Sequence, residues 1–157
     1  MLRRTSLSLE QALQKGRHYC GYQERCHQEV KEKLYSFGLR RQDVDAALAP
    51  LVEEDYLNEV RFAVQFAGGH FRLKQWGKVK IRYELKQRQI SDYCIKKALT
   101  GIDEEDYLET LGRLATAKWE TLKGETDFAR RGKVQGYLVR KGYEQDRITA
   151  VIGELPM

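Results

Sequence analysis

The stretch Trp76–Leu99, WGKVKIRYELKQRQISDYCIKKAL, decides how the rest of this chain is read. In its first half Val79, Ile81, Tyr83 and Leu85 alternate with Lys78, Lys80, Arg82 and Glu84. Taken alone, that is the pattern of a half-buried strand. A helical reading instead turns Ile81 and Leu85 inward at i, i+4. It also sets Lys78, Arg82 and Lys86 along one outer stripe.

Comparison within the chain makes the choice. The spacing Ile81-x3-Leu85-x4-Ile90-x4-Ile95-x3-Leu99 is matched by Val30, Leu34, Leu39, Val44 and Leu48, and again by Val134, Leu138, Tyr143, Ile148 and Ile152. The three runs lie 51 and 53 residues apart. Glu53-Glu54-Asp55-Tyr56-Leu57 likewise returns as Glu104-Glu105-Asp106-Tyr107-Leu108. A period near 50 marks an array of supersecondary units. In the first copy QEVKEKLYSFG is plainly helical, so the middle copy is read as helical too.

The expected fold is therefore all-α: a tandem array of three three-helix repeats over residues 1–54, 55–102 and 103–157. In the first unit the helices are expected over about residues 9–20, 27–37 and 41–52. In the second they fall over about 58–72, 77–88 and 91–100, and in the third over about 105–123, 127–140 and 144–154. Gly38 and Gly142 stand where the second helix of a unit must stop in a left-handed turn, and Gln89 holds that place in the middle copy. Ser91 and Asp92 can cap the helix that follows. Arrays with few contacts between units bend as chains of modules, so an elongated, curved molecule is expected.

At 157 residues, 41% of them hydrophobic, the chain can build one domain or an array sharing a core. No apolar run approaches the roughly 18 residues a membrane helix needs. The opening MLRRTSLSLEQAL lacks the apolar core of a secretion signal. Three cysteines without a CxxC pair read as reduced thiols, and the expected compartment is the cytoplasm. His18, Cys20, Cys26 and His27 form the one metal-like group. On a continuous helix Cys20 and His27 would lie about 10 Å apart along the axis, too far to share a zinc ion unless a break at Gly21 folds them together, and buried thiols with exposed imidazoles are expected instead. No GxSxG, P-loop or HExxH is present. The Gly68-Gly69-His70 pair lies inside a helical pattern, and neither an enzyme nor a cofactor is expected.

Charge is the informative feature. Between Arg72 and Lys97 nine cations face two acids, a local net charge of +7 in a chain of +5, so the remaining residues are net −2. Arg72, Lys74, Lys78, Lys80, Arg82, Lys86 and Arg88 surround Trp76, with Tyr83 nearby. A second set, Arg130, Arg131, Lys133 and Arg140 with Lys141, occupies the same helix of the third unit. Between Asp43 and Glu59 there are six acids and no base, which also suits contacts between neighbouring units. Cations interleaved with aromatics can hold phosphates and stack bases, and they can equally meet an acidic protein groove. A charge run is commonly just a solvated helix face. The recurrence in two copies favours a repeated contact surface.

The residues resemble the RecX family of recombinase regulators. The similarity rests on Glu54-Asp55-Tyr56-Leu57-Asn58-Glu59-Val60-Arg61-Phe62-Ala63, on Ile81-Arg82-Tyr83-Glu84-Leu85, and on Arg140-Lys141-Gly142-Tyr143 with Ile148. It extends from about Leu9 to Leu155. Two departures stand out: Gln23-Glu24-Arg25-Cys26 keeps only Arg25 of an R-x-R-S stretch, and Gln89 replaces a frequent glycine. The resemblance implies a monomeric protein of three-helix repeats that binds RecA. It implies that the protein lodges in the groove of the RecA–DNA filament and suppresses ATP hydrolysis and strand exchange. Arg61 joins the two basic sets as a candidate contact with RecA or DNA. A nucleic-acid binder acting on single- or double-stranded DNA without RecA is the alternative.

Overall fold

The computed structural model describes residues 6–156. Residues 1–5, which open the leader reading and the first unit, and Met157, which closes the third, lie outside the described residues. Among the described residues the secondary structure is entirely helical. The first unit holds α1 (Leu9–Tyr22), α2 (His27–Ser36) and α3 (Arg41–Glu53). The second holds α4 (Glu59–Lys74), α5 (Lys78–Gln87) and α6 (Asp92–Thr100). The third holds α7 (Glu104–Thr121), α8 (Asp127–Lys141) and α9 (Gln145–Gly153).

Local chemistry sets these boundaries. Ser8 caps α1 in a reciprocal box with Gln11, and Asn58, Ser91, Asp103 and Thr126 accept from the first-turn N–H groups of α4, α6, α7 and α8. The turn after the second helix of each unit passes through the left-handed region: Gly38 at φ 86°, Gln89 at φ 59° and Gly142 at φ 95°. The middle turn therefore forms without glycine, at a local cost of about 1–2 kcal/mol.

Burial decides between strand and helix in the opening stretch. Ile81 and Leu85 are fully buried, whereas Val79 is 53% and Tyr83 60% exposed. A strand would have turned all four to one side. The periodic pattern thus serves a helix whose other faces meet solvent.

Within each unit the first helix packs on the other two. The three units do not share one core. Val30, Leu34, Val44, Ala47 and Leu51, joined by Leu57 from the connection to α4, close the core of the first unit. A second core runs without interruption through units two and three, from Phe71, Ile81 and Leu85 to Tyr107, Leu111, Val134, Leu138 and Ile148. Cys26 is the one fully buried side chain that the first unit contributes to it. The accessible surface is 10226 Å², against roughly 8,100 Å² for a compact monomer of this mass. The molecule is an elongated row.

The joint between units two and three is made by backbone. The first N–H groups of a helix have no partners within it, and at α5 the third unit supplies them. Gly77 N–H donates to Lys141 O (2.8 Å), and Val79 and Lys80 N–H both donate to Gly142 O (2.8 and 3.4 Å). Lys78 N–H donates to the Tyr107 hydroxyl (2.9 Å), which itself donates to Glu144. Tyr143 Oη donates to Gln75 O (3.0 Å) and Lys141 Nζ to Lys74 O (3.0 Å). The end of α8 thereby abuts the start of α5, opposite poles of two helix dipoles.

The joint between units one and two is of another kind. Arg61, on α4, reaches Glu24 in the first unit and Asp55 in the connection (2.9 Å to Asp55). Beside them, within the first unit, Arg17 on α1 grips Glu54 at the end of α3 at 2.8 Å. These are ion pairs at a partly wet seam, individually weak and sensitive to salt.

Candidate functional site

The basic surface of the second unit is built where α4 ends. Gln75 turns left-handed at φ 58° and sends Trp76 back along the helix it has just left. Trp76 lies 4.5 Å from the His70 ring, and His70 lies 3.9 Å from Phe66, one helical turn earlier. His70 Nδ1 is 2.8 Å from Phe66 O. Lys80 and Lys74 stand over Trp76 at 4.6 and 5.3 Å, and Arg88 stands over Phe66 at 4.7 Å. The result is a ladder of three flat rings with cations at both ends. Each cation–ring contact contributes about 0.5–1 kcal/mol when exposed.

The outer stripe of α5 is less uniform than its spacing suggests. Arg82 is exposed and forms no ion pair among the described residues. Lys86 lies 3.7 Å from Asp92, with both side chains more than half exposed, an arrangement of little energetic weight. Arg88 pairs with Glu84 at 3.1 Å. Lys78 turns away from the stripe: its ammonium lies 3.8 Å from Glu104 and 4.8 Å from the Tyr107 ring. The reason is its place at the start of α5, beside the third unit. Arg72 leans over Gly68 and lines a groove with Asp106 and Glu109 of α7.

Arg61 is also turned inward. Its guanidinium donates to Glu24, to Asp55 and to the backbone oxygen of Asp55 (2.8 Å), so its place in the structure is a clamp between units one and two. In the third unit Arg130 lies flat on Trp119, 3.7 Å from the ring centroid, and donates to Trp119 O at 2.8 Å. Arg130 and Arg131 each bury an Nε that has no hydrogen-bond partner among the described residues. Lys133 pairs with Glu125, and Arg140 is exposed. The structure thus brings Lys74, Trp76, Lys80 and Arg88 together as one set. Arg82 and Lys86 stand apart on the solvent side, and the third-unit cations lie beyond the joint.

Three ring-and-cation groupings lie outside the residues that charge and spacing single out. Phe66 and His70, spaced i, i+4, complete the ring ladder. Lys118 stands 5.3 Å over Tyr137 in the third unit. On the first unit, Lys15, Arg25 and Lys33 gather around Tyr19 and Phe37. There the pairs Lys15/Tyr19 and Lys33/Phe37 also lie at i, i+4.

The cysteines are buried thiols. Burial raises the pKa of Cys20 and pushes Cys26 up to about 11, while Cys26 Sγ donates to Glu29 at 3.2 Å. Among the described residues no group of three or more His, Cys, Asp or Glu side chains is placed to hold a metal ion, and no helix is long and apolar enough to cross a membrane.

Tandem three-helix units, two of them sharing one core and presenting a ring-and-cation face, define a helical-repeat protein. The models of the second and third three-helix domains of RecX match residues 58–99 and 104–152. The chain belongs to the RecX family. It is 31% identical over 144 residues to a regulatory protein RecX of Prosthecochloris aestuarii, covering 92% of this chain and 93% of that protein. A regulatory protein RecX of Clostridium botulinum is 34% identical over 128 residues, which cover 80% of this chain and 59% of the relative. The chain thus spans about three fifths of the length of this clostridial relative. The crystal structure of RecX from Lactobacillus salivarius has the same fold, with a TM-score of 0.86 at 22% identity over 94% of this chain and 96% of that one. The Prosthecochloris and Clostridium relatives are both named as regulatory proteins.

Proposed function

We propose that this protein regulates the RecA recombinase by binding RecA on its DNA filament, so inhibiting ATP hydrolysis and strand exchange. The family supplies the regulatory role, and its resemblance supplies RecA as the partner. The observation that carries the reading is the fused block of units two and three. It holds the ring ladder, Lys74, Lys80 and Arg82 on a frame fixed by backbone hydrogen bonds. A rigid face with cations on rings suits a nucleoprotein fibre, which offers phosphates and acidic protein surface together. The elongated row, acting as a monomer with its units at 1–54, 55–102 and 103–157, suits contact with neighbouring subunits of a helical polymer.

The test is RecA ATPase on single-stranded DNA, with and without this protein. Replacing Arg72, Lys74 and Arg82 with Glu is expected to weaken inhibition while helicity stays intact. Lys78 is left unchanged, because its reversal would disturb the joint. Unchanged inhibition by the folded variant overturns the role given to this face.

The ring ladder also favours a second reading, a direct nucleic-acid binder acting without RecA. That reading requires tight binding to bare DNA with a steep salt dependence, because each neutralised phosphate releases counterions. Weak binding to bare DNA beside strong ATPase inhibition excludes it.

A further inference from the structure

A third basic surface lies on the first unit, away from both stripes. Between α1 and α2 is a cleft of about 500 Å³, walled by Tyr19, Tyr22 and Phe37 and rimmed by Lys15, Arg25 and Lys33. Among the described residues no carboxylate lines it. The cations converge on shared rings. Lys33 Nζ lies 5.4 Å from the Tyr19 centroid and 5.7 Å from that of Phe37. Lys15 Nζ lies 6.0 Å from the same Phe37 ring, and Arg25 lies 3.8 Å over Tyr19. Arg25 has a distant acid, Glu29, at 3.8 Å, but Lys15 and Lys33 have no ion-pair partner among the described residues.

Like charges drawn together around one aromatic floor repel each other, and ring quadrupoles offset that only in part. An anion placed between them removes the repulsion. Tyr22 adds a second property. Its side chain is 80% exposed, and among the described residues no cation stands over its ring, so one flat face is open at the rim. A ligand that satisfies both parts carries negative charge beside a flat apolar ring.

We infer that the first unit binds single-stranded nucleic acid here, with phosphates between Lys15 and Lys33 and a base stacked on Tyr22. A duplex hides its base faces and leaves Tyr22 without a partner, so the strand must be single. The inference does not rest on the RecA reading, since it concerns the bare chain and a bare strand.

The test uses the full chain and fluorescence anisotropy of a labelled short oligothymidylate, beside an abasic strand of equal length. Polyglutamate at equal charge serves as competitor. The wild-type protein is expected to bind thymidylate roughly tenfold more tightly than the abasic strand, as stacking on an aromatic allows. Tyr22→Ala is expected to abolish that preference and leave abasic affinity in place. Lys15→Glu with Lys33→Glu is expected to weaken both and to flatten the salt slope by about 1.4, at about 0.7 for each phosphate released. All three positions are exposed, and circular dichroism checks each variant's fold. Equal affinity of wild-type protein for the two strands, or a preference that survives Tyr22→Ala, overturns the inference. Polyglutamate displacing the strand as well as thymidylate does also overturns it, in favour of an acidic peptide. RecA ATPase inhibition by the same variants reads the proposed function separately.

Discussion

Gly77 and Gly142 meet face to face across the joint between units two and three. A Cβ built on Gly77 would overlap the carbonyl of Gly142, and one built on Gly142 would overlap Lys80. The two backbones approach this closely because Lys141 and Gly142 carbonyls accept from the opening N–H groups of α5. Side chains on either glycine would hold the helix ends apart and leave those donors without partners.

Gly142→Ala should therefore be costly. The residue sits at φ 95°, where a Cβ is strained, and the overlap with Lys80 adds to it. A loss of about 2–4 kcal/mol is expected from urea unfolding. Gly124→Ala shares the φ of 95° but meets nothing within 4 Å, so it should lose only the strain, about 1–2 kcal/mol. Equal losses at the two sites would show that the joint contributes little.

Arg61→Ala should act on the first unit more than on partner binding. It removes the link from α4 to Glu24 and Asp55 and leaves Glu24, whose Oε2 already lacks a partner among the described residues, without its cation. At a partly exposed seam the expected loss is about 1–2 kcal/mol. Hydrogen exchange should accelerate in α1–α3 and stay unchanged in α7–α9. Lost filament inhibition with unchanged exchange would instead make Arg61 a contact residue.

Alkaline conditions should destabilise the fused block. Burial raises the hydroxyl pKa of Tyr107, with its hydrogen bond to Glu144 adding to the shift, and burial raises that of Tyr143. Burial also pushes the Cys26 thiol up to about 11. The folded state favours the protonated form of all three, so their contribution is complete below the unfolded values. It is lost as pH rises past those values, about 8.5 for Cys and 10 for Tyr, toward the folded ones. Thermal melts should hold steady up to about pH 8 and fall beyond it. At neutral pH Cys26 should resist a thiol reagent until denaturant is added. Rapid labelling of the native protein would contradict the burial.

Much of the fold was legible because the repeat resolved what local pattern could not. The alternation from Val79 to Leu85 suits a strand, and the equivalent run after Val30 identified it as a helix. The turns at Gly38 and Gly142 were readable from glycine, and Gln89 from its register alone. The site was legible in composition more than in geometry. Lys78 belongs to the outer stripe by spacing, yet its position at a helix start beside Glu104 and Tyr107 turns it inward, which only the packing of units reveals. Arg61 behaves likewise, because Glu24 lies 37 residues earlier in the chain. The ring ladder was not legible, because Trp76 reaches His70 only through the left-handed turn at Gln75. The fusion of units two and three depends on two glycines 65 positions apart, and nothing local announces their contact.

The opening turn of α5 has one further consequence. All four of its N–H groups, from Gly77 to Lys80, already donate within the protein, so this helix start offers no backbone cradle to an oxyanion. On the proposed reading, a polyanion crossing the second unit would be held by long lysine and arginine arms. Such arms follow charge without demanding a fixed register, which suits a grip that can shift from one phosphate to the next.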